Sequence, residues 1–284
     1  MENKRILITA GPTNEYIDEV MKITNMSTGR LGIELSKHFL EEGAQVTLIA
    51  TRSVFRSGLY ERYGLANNPN LKGVPIETTE DMYNALENES RDSYNMVIHS
   101  SAVGDYKPEF SFRMEDLATE LAQAIRDGKT TREEILSILT DPNCKVNDDT
   151  KISSYEPNLT VKLTLTTKLI SHLRKWYKDA ILIGFKLLEN VPKEHLMEVA
   201  RKLCIKNNMD YIIANDLHDL RQGQHLSFLV NKDGYQDVEF HSPTDIYETA
   251  KSLVLKKDSN WVFYLFPLSL FILASYWLAL SLKL

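Results

Sequence analysis

Short apolar runs rich in branched residues alternate along this chain with stretches whose apolar residues recur every three or four positions. Arg5-Ile6-Leu7-Ile8-Thr9-Ala10 reads as a strand closed by Gly11-Pro12. Leu31, Leu35, Phe39 and Leu40 share one face of a helix predicted over 31–42 and stopped by Gly43, and Ala44 to Ala50 is a second strand. Such a βαβ unit places its two strands parallel with a right-handed crossover. The alternation continues with a strand at Gly73 to Ile76, a helix from Thr79 to Ser90 and a strand from Tyr94 to Ala102. After a gap come a strand at Ala180 to Phe185, a helix from Lys193 to Asn207 and a strand from Asp210 to Asp216. The pattern predicts an α/β fold, a doubly wound, Rossmann-like parallel sheet. Ser227 to Val230 and Gln236 to Phe240, around Lys232-Asp233-Gly234, read as a closing hairpin, followed by a helix from Ser242 to Leu255 capped at Ser242-Pro243. Residues 110–150 break the rhythm: helical patterning, many charges, Gly128 and Pro142 mark an excursion from the sheet, a flap or a dimerisation arm.

The chain of 284 residues is 43% hydrophobic and 25% charged with formal net charge −6, an ordinary folded composition with no general attraction to nucleic acid. Cys144 and Cys204 are too few for a disulfide framework or a zinc site. The first residues lead directly into a strand too short for a secretory core, which predicts a cytoplasmic protein. Ser259 to Leu282 carries no charge and has Trp261, Tyr264, Tyr276 and Trp277 towards its ends, with Lys256 and Lys257 before it. Residues 1–256 are therefore expected to form one domain and 257–284 an apolar tail, with 261–282 either a membrane tether or a segment packed on the protein.

Ligands of such sheets sit beyond the carboxyl ends of the strands. Gly11, Asn25, Ser27, Gly29 and Gly32 follow the first strand there. Ala102, Asp105 and Tyr106 follow the Tyr94 strand, and Phe185, Asn215 and Asp216 sit at or beyond the later ones. Ser27-Thr28-Gly29 opens a helix, whose free amides and positive dipole end suit a phosphate; the plainer reading of Ser27 is an N-cap. No G-x-G-x-x-G is present and Ala50-Thr51-Arg52 has no acid for a ribose, so an NADP-dependent reductase would rest on Arg52 alone. Lys202 and Lys206 share a helix face, and Lys151 ends the excursion where a lysine could close on a polyphosphate.

Six ordered segments resemble phosphopantothenate-cysteine ligase: Ala10-Gly11-Pro12-Thr13-Asn14-Glu15 with Ile17-Asp18, Ile23 to Gly29, His99-Ser100-Ser101-Ala102-Val103-Gly104-Asp105-Tyr106, Lys151-Ile152-Ser153-Ser154, Ile183 to Leu188, and Ile213 to Leu217. They span residues 5 to about 255, and the chain resembles the free-standing bacterial form. The resemblance implies that 4′-phosphopantothenate attacks the α-phosphate of a nucleoside triphosphate, CTP before ATP, with Mg2+, and that the amine of cysteine then displaces the nucleotide. It implies catalytic roles for Asn25, Lys151 and Asp105, and substrate contacts from Asn25, Ser101, Ala102 and Asp105. Nucleotide contacts would come from Gly11, Ser27, Gly29, Gly32, Lys168, Leu169, Ile170, Phe185, Lys202, Lys206 and Asn215, with no metal ligand assigned on the chain. A homodimer follows, the excursion being the arm that pairs.

Departures from the family pattern are Met21, with Lys22 beside it, where many members have arginine, one extra residue between Lys206 and Asp210, and the apolar tail. They leave room for a weakly catalytic chain that binds a flavoprotein decarboxylase as a regulatory partner.

Overall fold

A computed structural model describes residues 1–146, 151–153, 155, 157–223 and 226–257, with the backbone alone at 235–237. The tail reading, the Asn147 to Thr150 end of the excursion and Ser154 of the lysine motif lie outside the described residues. Among the described residues no helix is long and apolar enough to cross a membrane.

The chain begins with β1 (Arg5–Ala10), turns through a small hairpin of β2 (Asn14–Tyr16) and β3 (Lys22–Thr24), and continues into β4 (Gln45–Thr51), β5 (Leu71–Ile76) and β6 (Met96–His99). An arm follows, made of β7 (Tyr106–Arg113), β8 (Lys145–Val146) and β9 (Leu159–Leu165). The chain then returns for β10 (Ile181–Leu188), β11 (Tyr211–Asp216), β12 (Ser227–Asn231) and β13 (Gly234–Phe240). Eight of these strands form one sheet in the order β13-β12-β11-β10-β6-β1-β4-β5. It is parallel from β11 to β5, and β12 and β13 close it antiparallel. The α/β sheet and the closing hairpin are as the hydrophobic pattern predicts.

Successive residues of β1 feed opposite cores. Ile6 and Ile8 pack with Leu35 and Phe39 of the helix Arg30–Glu41 and with Ile246 and Val254 of a helix over 243–257. Leu7 packs on the other face with Met82 and Leu86 of the helix Thr79–Glu89 and with Leu196 and Ala200 of the helix Lys193–Lys206. A strand covered on both faces has to be apolar at every position, and this one reads as an unbroken run. Gly43, at φ +83°, ends the first helix: its amide returns to the Leu40 carbonyl and that of Ala44 to Phe39.

Two boundaries differ from the sequence pattern. β6 stops at His99, because Ser100 and Ser101 give up the ladder for Thr9: the Ser100 hydroxyl donates to the Thr9 carbonyl and the Ser101 amide to the Thr9 hydroxyl. The excursion is wider than 110–150 and contains strands. β7 and β9 pair from Tyr106 against Leu165 to Arg113 against Leu159, flanked by the helices Met114–Arg126 and Arg132–Thr140. Tyr-Lys-Pro-Glu-Phe-Ser-Phe-Arg has a proline and charges, so its strand character appears only once β9 pairs with it.

Candidate active site

The Gly11-Pro12 turn and residues 100–106 leave β1 and β6 side by side, joined by the Ala102 amide donating to the Gly11 carbonyl at 2.9 Å. Across them the side chain of Asn25 donates to the carbonyls of Ala102 (3.2 Å) and Val103 (3.1 Å). Thr24 helps by donating to the Thr13 carbonyl, and Thr13 in turn accepts from the Gly104 amide at 2.9 Å. Three distant segments thus meet at the carboxyl ends of the central strands, where the fold rule puts a ligand.

The start of the helix Arg30–Glu41 faces this junction. Its cap is Gly29, not Ser27: Gly29 lies at φ +72° and Ser27 stands two residues earlier, its hydroxyl accepting from the Gly29 amide at 3.4 Å. No side chain caps the helix and its first turn has no acid, which leaves amides and a positive dipole end for an anion. The glycines have packing reasons as well. A Cβ on Gly29 would lie 2.7 Å from Val54 Cγ2, just beyond β4, and one on Gly32 would lie 2.4 Å from Ala10 Cβ, so Gly32 lets the helix close onto β1 and Gly29 lets its start pack on Val54.

Asp105 is exposed and ion-paired with Lys168, a contact absent from the sequence analysis, where Lys168, Leu169 and Ile170 stand only as nucleotide contacts. The pair forms because the arm returns to its own root: the Thr166 amide donates to the Asp105 carbonyl at 3.1 Å, and its hydroxyl to the Gly104 carbonyl. Leu169 is buried and Ile170 half-buried. Ser101 is half-buried and its hydroxyl oxygen has no hydrogen-bond partner. Beneath it His99 is buried, Nδ1 at 2.9 Å from the Thr9 hydroxyl, and burial lowers its pKa to about 4. Thr9 also accepts from the Ser101 amide at 3.2 Å, which ties the buried ring to the strand end above it.

A cavity of about 560 Å³ opens beside the root of the arm, lined by Glu15, Tyr16, Thr79, Tyr83, Lys107 and Thr166. Its floor is organised: the Thr79 amide (2.9 Å) and hydroxyl (2.6 Å) both donate to Glu15, which is buried. A volume of that order suits one nucleotide-sized ligand. Glu15 and Thr13 belong to a quoted motif, but nothing in the sequence says that residues 79 and 166 complete their surroundings.

The remaining candidates divide. Phe185, half-buried, and Asn215, half-buried opposite Leu187, lie on adjacent strands. Asp216 accepts from the amides of Asn190, Val191 and His218, which hold its pKa below the usual carboxylate range; it fixes the loop after β10. Lys202 and Lys206 are not brought to the cluster. Their helix runs back towards the amino ends of the strands, where Lys206 precedes β11, and Lys202 pairs at 2.6 Å with Glu198 one turn earlier. Arg52, the support for a 2′-phosphate reading, is engaged by Glu77 at 3.3 Å. Lys151 is exposed beside Ile152, whose side chain is buried.

The model of the DNA/pantothenate metabolism flavoprotein C-terminal domain matches residues 1–115 and 117–254. The chain is 29% identical over 234 residues to the coenzyme A biosynthesis bifunctional protein CoaBC of Thermococcus kodakarensis, covering 82% of this chain and 46% of that protein. It thus spans about half the length of the curated relatives it matches. Among solved structures, the DNA/pantothenate metabolism flavoprotein of Streptococcus pneumoniae superposes with TM-score 0.69 at 34% identity, over 91% of this chain and 99% of that one. A Cab2 mutant in complex with phosphopantothenate-cysteine shares the fold, with TM-score 0.58 at 17% identity over 93% of this chain and 89% of that one.

Proposed function

The chain belongs to the DNA/pantothenate metabolism flavoprotein C-terminal domain family, and from that premise we propose that it joins 4′-phosphopantothenate to L-cysteine in coenzyme A biosynthesis. A carboxylate is inert towards an amine until it carries a leaving group. In the proposed first step a carboxylate oxygen of phosphopantothenate attacks the α-phosphorus of CTP and the bond to pyrophosphate breaks. In the second, the cysteine nitrogen attacks the acyl carbon, the nucleoside monophosphate leaves with the bonding electrons, and the ammonium proton is lost to solvent.

The observation that carries this reading is the Asn25 side chain spanning the Ala102 and Val103 carbonyls. That bridge holds a polar amide group beside Asp105, facing the open start of the helix Arg30–Glu41. In our reading the amides of Leu31 and Gly32 take a phosphate, those of Gly29 and Arg30 being held by the Ser27 and Thr28 hydroxyls, while Asn25, Ser101, Ala102 and Asp105 meet the acyl part. The unpartnered Ser101 hydroxyl is free to bond a ligand oxygen. Lys151 neutralises charge building on the transferring phosphoryl group, an effect that can lower a barrier by several kcal/mol. Phe185, Asn215 and residues 168–170 receive the nucleotide. Lys202 and Lys206 would reach it only from the sheet's other end. Mg2+ would arrive on the triphosphate and keep mostly water ligands.

We also propose a homodimer through the arm. Tyr106 (52% exposed), Leu163 (42%) and Leu165 (63%) lie on one face of the β7–β9 pair, an apolar surface suited to a second copy. Sedimentation at micromolar concentration tests it; a monomer would overturn it.

The test of the activity is pyrophosphate release by the full chain with phosphopantothenate, cysteine and Mg2+, supplied with CTP or with ATP. Turnover is expected with CTP and to require both acceptor substrates, and Lys151→Ala should abolish most of it. No turnover from a folded protein with either nucleotide would overturn the ligase reading. Met21, 39% exposed in the β2–β3 turn, would then point to a chain that only binds a partner.

A further inference from the structure

The turn between β2 and β3 holds a carboxylate that the proposed chemistry leaves unused. Asp18 is 6% exposed although its neighbours Glu19 and Val20 face solvent. Its two oxygens have separate tasks. Oδ1 accepts from the amides of Val20 (2.7 Å) and Met21 (2.5 Å) and so closes its own turn. Oδ2 accepts from the amide of Ile152 at 2.9 Å, a bond across 134 residues of sequence. That amide belongs to the peptide bond that follows Lys151, and the Ile152 side chain beyond it is 4% exposed.

We propose that Asp18 is a positioning residue that ties down the Lys151–Ile152 peptide and so sets where the Lys151 ammonium stands. The proposal rests on the ligase reading for what Lys151 does, but the tie itself does not. The two attachments of Ile152, amide to Asp18 and side chain into the protein, anchor the peptide that carries the Lys151 Cα and so narrow the volume its side chain searches. A point charge needs that restriction, because a flexible four-carbon stem otherwise spreads the ammonium over several ångströms. The same amides of Met21 and Ile152, with a smaller share from Val20 and the Lys151 charge, hold the Asp18 carboxyl below its usual range, so the acceptor is ionised at neutral pH.

Asp18→Asn separates the tie from the turn. Its one carbonyl oxygen can keep accepting from Val20 and Met21, while its NH2 group then faces the Ile152 N–H, donor against donor. On the full chain, brief trypsin treatment read by mass spectrometry reports cleavage after Lys151, and hydrogen exchange reports the Ile152 amide. Both should speed up about tenfold or more in Asp18→Asn with the melting temperature nearly unchanged. Pyrophosphate release should fall about tenfold in kcat with KM for cysteine changed less than about twofold, and Asp18→Asn should cost nothing further in a Lys151→Ala background. Unchanged cleavage and exchange, or fully additive losses, would overturn the proposal. Faster cleavage from a chain that shows no turnover even as wild type would count against the ligase reading and leave the tie standing.

Discussion

The sheet and the arm are built on opposite terms. Ile6, Leu7, Ile8 and Ala10 of β1 are wholly enclosed by helices on both faces, whereas the helix Arg132–Thr140 of the arm has no buried residue and the helix Met114–Arg126 buries only Leu117 and Ala124. The sheet is held by apolar burial, which is strong and insensitive to detail; the arm is held by strand pairing, caps and surface ion pairs, each worth about a kcal/mol or less. The candidate site lies where the two meet, at Gly104, Asp105 and Thr166. One wall is therefore rigid and the other adjustable.

The largest expected effect breaks the rigid side. Leu7→Ala should cost about 4 kcal/mol in urea denaturation, while Leu139→Ala, at a 40% exposed position of the arm, should stay within about 0.5 kcal/mol. Equal losses would mean the arm is packed as tightly as the sheet.

His99 tests the same wall through pH. Its buried ring has a pKa near 4 against an ordinary value near 6.5, so the unfolded chain binds the extra proton first as pH falls. The stability is complete above about pH 6.5 and about 3 kcal/mol of it is lost as pH falls towards 4. Denaturation at pH 7 and 4.5 should show that loss in the wild type and little of it in His99→Gln.

On the arm, Thr131 closes a capping box with Glu134, and its removal should be felt only locally. Thr131→Ala should cost the helix about 1 kcal/mol, seen as faster hydrogen exchange over 132–140 with β1 protection unaltered. Loss of protection in β1 would show the two regions unfolding as one. The smallest effect belongs to Lys168→Ala: its pair with Asp105 is exposed, so stability should move by less than about 0.5 kcal/mol. Phosphopantothenate binding, read by calorimetry, should nonetheless change, since Asp105 loses its partner; unchanged binding would remove Lys168 from the site.

Most of the sheet was legible because its strands are apolar on both faces and end at glycine, proline or small residues, signals that need no tertiary context. β1, the Gly43 stop, the β12–β13 hairpin and the grouping of Asn25 with Ala102 were all readable. The arm's strands were not, since β7 carries a proline and charges and gains its structure from β9, 46 to 59 residues later. Ser27 could be taken for a helix cap because the left-handed turn at Gly29 is invisible in a string of letters.

What the sequence by itself determined is the parallel sheet and its two cores, since periodicity and turn chemistry act over a few residues. What only the tertiary structure decided are the contacts between distant segments: Asp105 with Lys168, Glu15 with Thr79, Asp18 with Ile152, and the direction that carries Lys206 away from the cluster. Each joins an ordinary polar residue to one far along the chain. Neither partner is marked until the fold brings the two together, and that depends on where the apolar faces come to rest.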